Sequence, residues 1–105
     1  MIILKSGINE SNLTEYYLVG LENYQDFEVV NHHLMSLNGK MLDSLDGIYS
    51  RVATWESEST TFKVIYHEDV GVYAFVLAPQ SENSNQWLER ILEKVVENIN
   101  AEEVA

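Results

Sequence analysis

The sequence predicts an α+β domain of two layers. One layer is an antiparallel sheet of four to five strands, and the other is two helices packed on one face of it. Three observations carry that prediction. Residues 46–79 read DGIYSRVATWESESTTFKVIYHEDVGVYAFVLAP and alternate with a period of two, the mark of consecutive antiparallel strands. Two other stretches place apolar residues at helical spacing. The chain is 105 residues long and has no repeat or linker to divide it, so residues 1–105 form one domain.

The elements follow in order. Residues 1–4 are apolar and read as a short strand or a tucked-in terminus. Residues 6–15, SGINESNLTE, are polar and turn-rich and read as a loop. Residues 16–21, YYLVGL, are aromatic and β-branched and predict a strand. Asn23, with Asp26 three positions on, makes a capping-box pair that opens a helix. Tyr24, Phe27, Val30, Leu34 and Leu37 form its apolar stripe. Asn38-Gly39 closes it, because glycine tolerates the left-handed conformation after a helix end. Residues 40–45 read as a short strand, and Asp46-Gly47 predicts a two-residue type I′ hairpin turn. Three longer strands follow, at about 48–56, 60–67 and 71–78, joined by 57–59 and 68–71. Pro79 ends the last strand, since it has no N–H for the ladder. Residues 81–85 are a polar link in which Asn83 or Ser84 caps the second helix. There Trp87, Leu88, Ile91, Leu92, Val95, Val96 and Ile99 share one stripe opposite Glu89, Arg90, Glu93, Lys94 and Glu97. The terminal AEEVA reads as a frayed end.

Pairing the strands across the shortest turns sets a register. Trp55 then faces Phe62, Ala53 faces Val64, and Arg51 faces Tyr66. On the next hairpin Phe62, Val64 and Tyr66 face Leu77, Phe75 and Tyr73. One side carries the aromatics, and the helices are expected to cover it because it offers more area to bury. The other side carries Ile48, Ser50, Val52, Thr54, Lys63, Ile65, His67, Val72, Ala74 and Val76. That is more apolar than a solvent-facing sheet needs to be. Ile48, Val52, Ile65, Val72 and Val76 are therefore the candidate interface.

Composition removes several functions. Six basic and seventeen acidic residues give a net charge of −11, and the isoelectric point is near 4.4. Such a chain repels phosphate backbones and anionic lipid, so neither nucleic acid nor membrane is an expected partner. No apolar run spans a bilayer, and MIILKSG lacks the basic region of a signal peptide. The absence of cysteine excludes disulfides and thiolate chemistry and points towards the cytoplasm.

No motif fixes a chemistry. His32-His33 and His67-Glu68-Asp69 are the groupings with metal-ligating side chains. Adjacent histidines on a helix point about 100° apart, and the spacing matches no zinc or iron pattern. There is no G-x-S-x-G, and the glycines at 7, 20, 39, 47 and 71 are dispersed as turns. Carboxylate pairs such as Glu56/Glu58 and Glu68/Asp69 read as solvated. Arg51 falls among aromatics and is assigned a structural role, stacked on Tyr49 or Tyr66 or paired with a carboxylate. No catalytic, cofactor-binding or metal-binding residue is assigned, and no cofactor is expected.

The expected function is a non-enzymatic, cytoplasmic protein-interaction domain, a homodimer formed through the open sheet face. The alternative is an acidic inhibitor or immunity-type protein that neutralises a basic partner. A small metal-binding protein or enzyme ranks third. In size, charge and class the chain resembles small acidic accessory proteins such as immunity proteins and secretion chaperones, a likeness that covers no motif.

Overall fold

The computed structural model describes residues 1–78 and 81–104. The chain runs β1 (Ile3–Ile8), β2 (Thr14–Val19), α1 (Tyr24–Ser36), β3 (Lys40–Asp46), β4 (Ser50–Ser57), β5 (Thr60–His67), β6 (Gly71–Ala78) and α2 (Glu82–Val104). The strands form one sheet in the order β1-β2-β6-β5-β4-β3. Every neighbouring pair is antiparallel, and the class is α+β. Among the described residues no helix is long and apolar enough to cross a membrane.

The sheet has six strands rather than four to five. β1 takes in the end of the apolar run expected as a short strand or a tucked-in terminus and continues into the polar stretch expected to be a loop. Asn9 Oδ1 accepts the N–H groups of Ser11 and Leu13, and the Asn9 N–H donates to the Leu13 carbonyl. With Asn12 at a φ of 62°, this Asx-type turn folds the chain back on itself. β1 then pairs with β2 from Ile3↔Val19 to Ile8↔Thr14. An edge strand needs backbone partners more than an apolar face, and β1 is mostly exposed.

α1 opens with the expected capping box. The Asp26 N–H donates to Asn23 Oδ1, and the Asn23 N–H donates to Asp26 Oδ2. It closes in a Schellman motif: the Gly39 N–H reaches the Leu34 carbonyl and the Asn38 N–H reaches that of Met35. Asn38, at a φ of 68°, takes the left-handed position. Gly39 is needed for space instead, since a Cβ there would lie 2.9 Å from the Leu34 carbonyl oxygen. α2 starts at Glu82, within the expected link and ahead of the expected caps, because Ser81 Oγ accepts the Ser84 N–H. Residues 101–104, expected to fray, continue the helix. Pro79, expected to end β6, and Ala105 lie outside the described residues.

The type I′ geometry expected at Asp46-Gly47 occurs elsewhere. Neither residue has a positive φ; the Gly47 N–H instead closes a turn on the Ser50 carbonyl at 2.7 Å. Glu58 and Ser59, at 49° and 69°, make the primed turn between β4 and β5. Its carboxylate is held by the Trp87 indole N–H at 2.9 Å. The β4–β5 register is as expected, with Trp55↔Phe62, Ala53↔Val64 and Arg51↔Tyr66.

The β5–β6 register differs by one residue. His67 pairs with Gly71, leaving a three-residue loop, 68–70, where four residues were expected. The Val70 N–H bonds the His67 carbonyl, and Gly71 follows at a φ of 93°. Glycine is obligatory there twice over, because a Cβ would also meet the Leu21 carbonyl oxygen at 2.6 Å. An odd loop in place of an even one sends the β6 side chains from Val72 to Val76 to the opposite face, up to the irregularity between Thr61 and Phe62. Phe62 faces Val76 and Val64 faces Ala74, while Ile65 faces Tyr73 and Lys63 faces Phe75.

The core is built accordingly. Trp55, Phe62, Val64, Val72, Ala74 and Val76 are buried with Tyr16 and Leu18 from β2. Val30 and Leu34 of α1 and Leu88, Leu92 and Val95 of α2 join them. Polar groups in this layer find partners: Trp55 Nε1 donates to Asn31 Oδ1 at 3.0 Å, and the Tyr16 hydroxyl donates to the Asn85 carbonyl at 2.9 Å.

Candidate docking face

Residues paired across antiparallel strands share a face, so the register defines the second side of the sheet. One row crosses all six strands: Lys5, Tyr17, Tyr73, Ile65, Val52 and Leu45. A second row joins Phe75, Lys63, Thr54 and Asp43. None of these ten side chains is buried. The four central apolar ones are half-exposed, and Leu45 is 61% exposed. Tyr17 and Tyr73 stack with ring centroids 5.8 Å apart. The Tyr17 hydroxyl donates to Glu15 Oε1 at 2.6 Å, and that bond to a carboxylate pushes its pKa up to about 12. The Tyr73 phenol is also raised, by burial first and by Glu15 second.

The charge of this face differs from that of the chain. Three of the six basic residues, Lys5, Lys40 and Lys63, lie on it, with three of the seventeen acidic ones, Glu15, Asp43 and Glu56. It is close to neutral on a molecule that carries −11.

Side chains hold one backbone position at or beside each edge strand. Beside β1, the Asn100 side chain of α2 accepts the Ile2 N–H at 2.8 Å and donates to the Ile2 carbonyl at 3.0 Å. It imitates a neighbouring strand. β3 carries a bulge between Met41 and Asp43, and Asp43 Oδ1 takes the Ser44 N–H at 2.9 Å. Bulges and self-capped edges discourage strand addition.

The five residues singled out in the sequence do not share one surface. Val52 and Ile65 pair directly in the middle of the half-exposed face. Val72 and Val76 belong to the core, at 2% and 3% exposure, because of the shifted β5–β6 register. Ile48 is 91% exposed but lies in the turn between β3 and β4, outside both strands. Sequence reasoning missed Tyr17, Tyr73 and Phe75. The Gly71 turn was the signal that could have found the last two.

The other groupings do not converge. His32 is exposed, whereas His33 is buried and its Nε2 stands 3.3 Å from Glu102 Oε1 without hydrogen-bond geometry. Their rings meet edge-on at 73°. His67 Nδ1 accepts the Asp69 N–H within its own turn. Among the described residues no three His, Asp or Glu side chains are grouped to hold a metal ion. Arg51 stacks on Tyr24, with Cζ 3.6 Å from the ring centroid, and pairs with Asp46 at 3.0 Å. It ties α1 to the end of the β3–β4 hairpin; the ring it stacks on is Tyr24, and the carboxylate it pairs with is Asp46. A crevice of about 350 Å³ opens where β2 parts from β6, lined by Lys5, Tyr17, Gly20 and Val70 among others. No protein-family model, curated protein or solved structure matches the chain.

Proposed function

We propose that this protein is a non-enzymatic protein-interaction domain that associates with a second copy of itself through the half-exposed sheet face. In this reading both helices serve the buried side, and the opposite side is left for a partner. The observation that carries it is the apolar row of Tyr17, Tyr73, Ile65, Val52 and Leu45. A free sheet surface is ordinarily more polar than this. The local charge balance favours a second copy over other occupants. Two molecules of −11 repel each other everywhere except where their charges cancel. The bulge in the β3 edge disfavours addition of a strand there. A cytoplasmic location accords with the absence of cysteine.

Sedimentation equilibrium over a wide concentration range tests this. The wild type is expected to dimerise, and Ile65→Asp to sediment as a folded monomer, because a lone carboxylate buried in the interface is costly. A wild type that stays monomeric at millimolar concentration refutes the reading.

A second reading draws on the rest of the surface. There the acidic residues are opposed only by Arg51, Arg90 and Lys94, so a basic protein partner would be held by long-range attraction. Binding that weakens steeply with salt supports it.

A further inference from the structure

We infer that the second copy is placed by a twofold axis running along the strands, between β5 and β6; this inference rests on the self-association proposed above. The face is itself divided at that line, with three strands on each side. β2 and β6 bring the large rings of Tyr17, Tyr73 and Phe75, and β5 and β4 bring the smaller Ile65, Val52 and Thr54. Two in-plane axes stack such a face on itself with the strands of the two copies aligned, and they differ in what meets what.

An axis along the strands lays β6 over β5 of the second copy and β2 over its β4. Tyr73 then lies over Ile65 of the other molecule, and Tyr17 over its Val52. Rings over β-branched side chains interdigitate at the density that packed layers require. An axis across the strands lays β6 over β6 and β2 over β2. Ring would crowd ring, and the β-branched halves would face each other across a gap.

Charge is compatible with the same arrangement. Along the strands, β1 lies over β3 of the second copy, which brings Lys5 over Leu45 and next to Asp43. Glu15 comes over Thr54, beside Lys63. Across the strands, Lys5 lies over Lys5 where the axis passes through the Tyr73 row, an arrangement that like-charge repulsion disfavours. Ring still meets ring wherever that axis lies along the strands, so the first arrangement is assigned on packing.

The area is sufficient and small. Strands about 4.8 Å apart with a rise of about 3.3 Å per residue give a footprint of roughly 600 Å² per copy. That makes about 1,200 Å² in all, the lower end of specific interfaces.

The chain has no cysteine, so single thiols can be placed at will. Stacked sheets lie about 10 Å apart, beyond disulfide reach, so a short bis-maleimide is the probe. Lys5→Cys and Leu45→Cys change exposed positions. The inference expects the mixture of the two variants to give the cross-linked heterodimer, with little product from either variant alone. Tyr17→Cys mixed with Val52→Cys is expected to behave the same way closer to the axis. Self-linking of Lys5→Cys as the main product overturns this axis in favour of the other. A sedimenting dimer with no cross-link from either mixture also overturns the axis while leaving self-association standing. A monomer that yields no cross-link overturns the underlying reading itself.

Discussion

Trp55 and Thr54 are chain neighbours on the same strand, yet they sit in different media. The side of the sheet that carries Trp55 holds Ala53, Phe62, Val64, Val72, Ala74 and Val76, all at 3% exposure or less. The side that carries Thr54 has Tyr17, Tyr73, Phe75, Ile65 and Val52, none of them buried. Hydrophobicity does not separate the two sets, since both carry aromatic rings, Tyr16, Trp55 and Phe62 on one side and Tyr17, Tyr73 and Phe75 on the other. What separates them is shape. α1 and α2 bring large side chains of their own, among them Leu34, Leu88, Leu92 and Trp87, whose ring meets Phe62 edge-on at 5.8 Å. Alanine and valine beneath them leave the room that close packing needs. A face crowded with tyrosines would not.

The comparison is broken most severely by cutting into the buried side. Trp55→Ala removes a fully buried ring and is expected to cost about 3–5 kcal/mol. Thr54→Ala, one residue away, is expected to stay within about 0.5 kcal/mol. Chemical denaturation of both variants checks the contrast, and similar losses would mean that the two sides are not distinct in packing.

A smaller effect is expected from Asn31→Ala. It leaves the Trp55 indole N–H without its acceptor in a dry site, which costs about 1–3 kcal/mol. Asn31→Asp keeps an acceptor there and separates the lost bond from lost packing, read as the shift in unfolding midpoint with denaturant slope unchanged.

The smallest effect sharpens the other side. Tyr17 holds its proton to about pH 12, against 10 for a free phenol, mainly through its bond to Glu15. The folded value is raised, so the linked stabilisation is fully present below pH 10 and is lost as pH rises through about 12. A tyrosine titration followed ring by ring in NMR is expected to show Tyr17 ionising near 12, with Tyr16, Tyr24 and Tyr73 also raised, and Glu15→Gln to bring Tyr17 back towards 10. A titration of Tyr17 near 10 in the wild type would mean that the bond to Glu15 is not formed.

How much of this was legible in the sequence depended on the turns. The capping box at Asn23 and Asp26 and the stripe of α2 are local patterns, and both are where they were expected. The β4–β5 hairpin kept its register because a two-residue loop is the shortest connection available. The β5–β6 hairpin did not, because Gly71 at a φ of 93° shortens its loop to an odd number. That single residue carried Val72 and Val76 from the expected interface into the core and brought Tyr73 and Phe75 out. β1 was read only in part. Residues 1–4 were expected as a short strand or a tucked-in terminus, but residues 6–8 fall in the expected loop, and their partners are backbone groups of β2 that no local pattern reports. Val52 and Ile65 were placed correctly because they lie on the hairpin whose register held.

The account turns on whether the half-exposed face meets a second copy. Methyl and amide NMR spectra recorded from dilute to concentrated protein measure this position by position. The account predicts concentration-dependent shifts at Val52, Ile65 and Leu45, with Val64, Val72 and Val76 unmoved. Spectra that do not change with concentration, or shifts confined to the helices or the sheet edges, would contradict it.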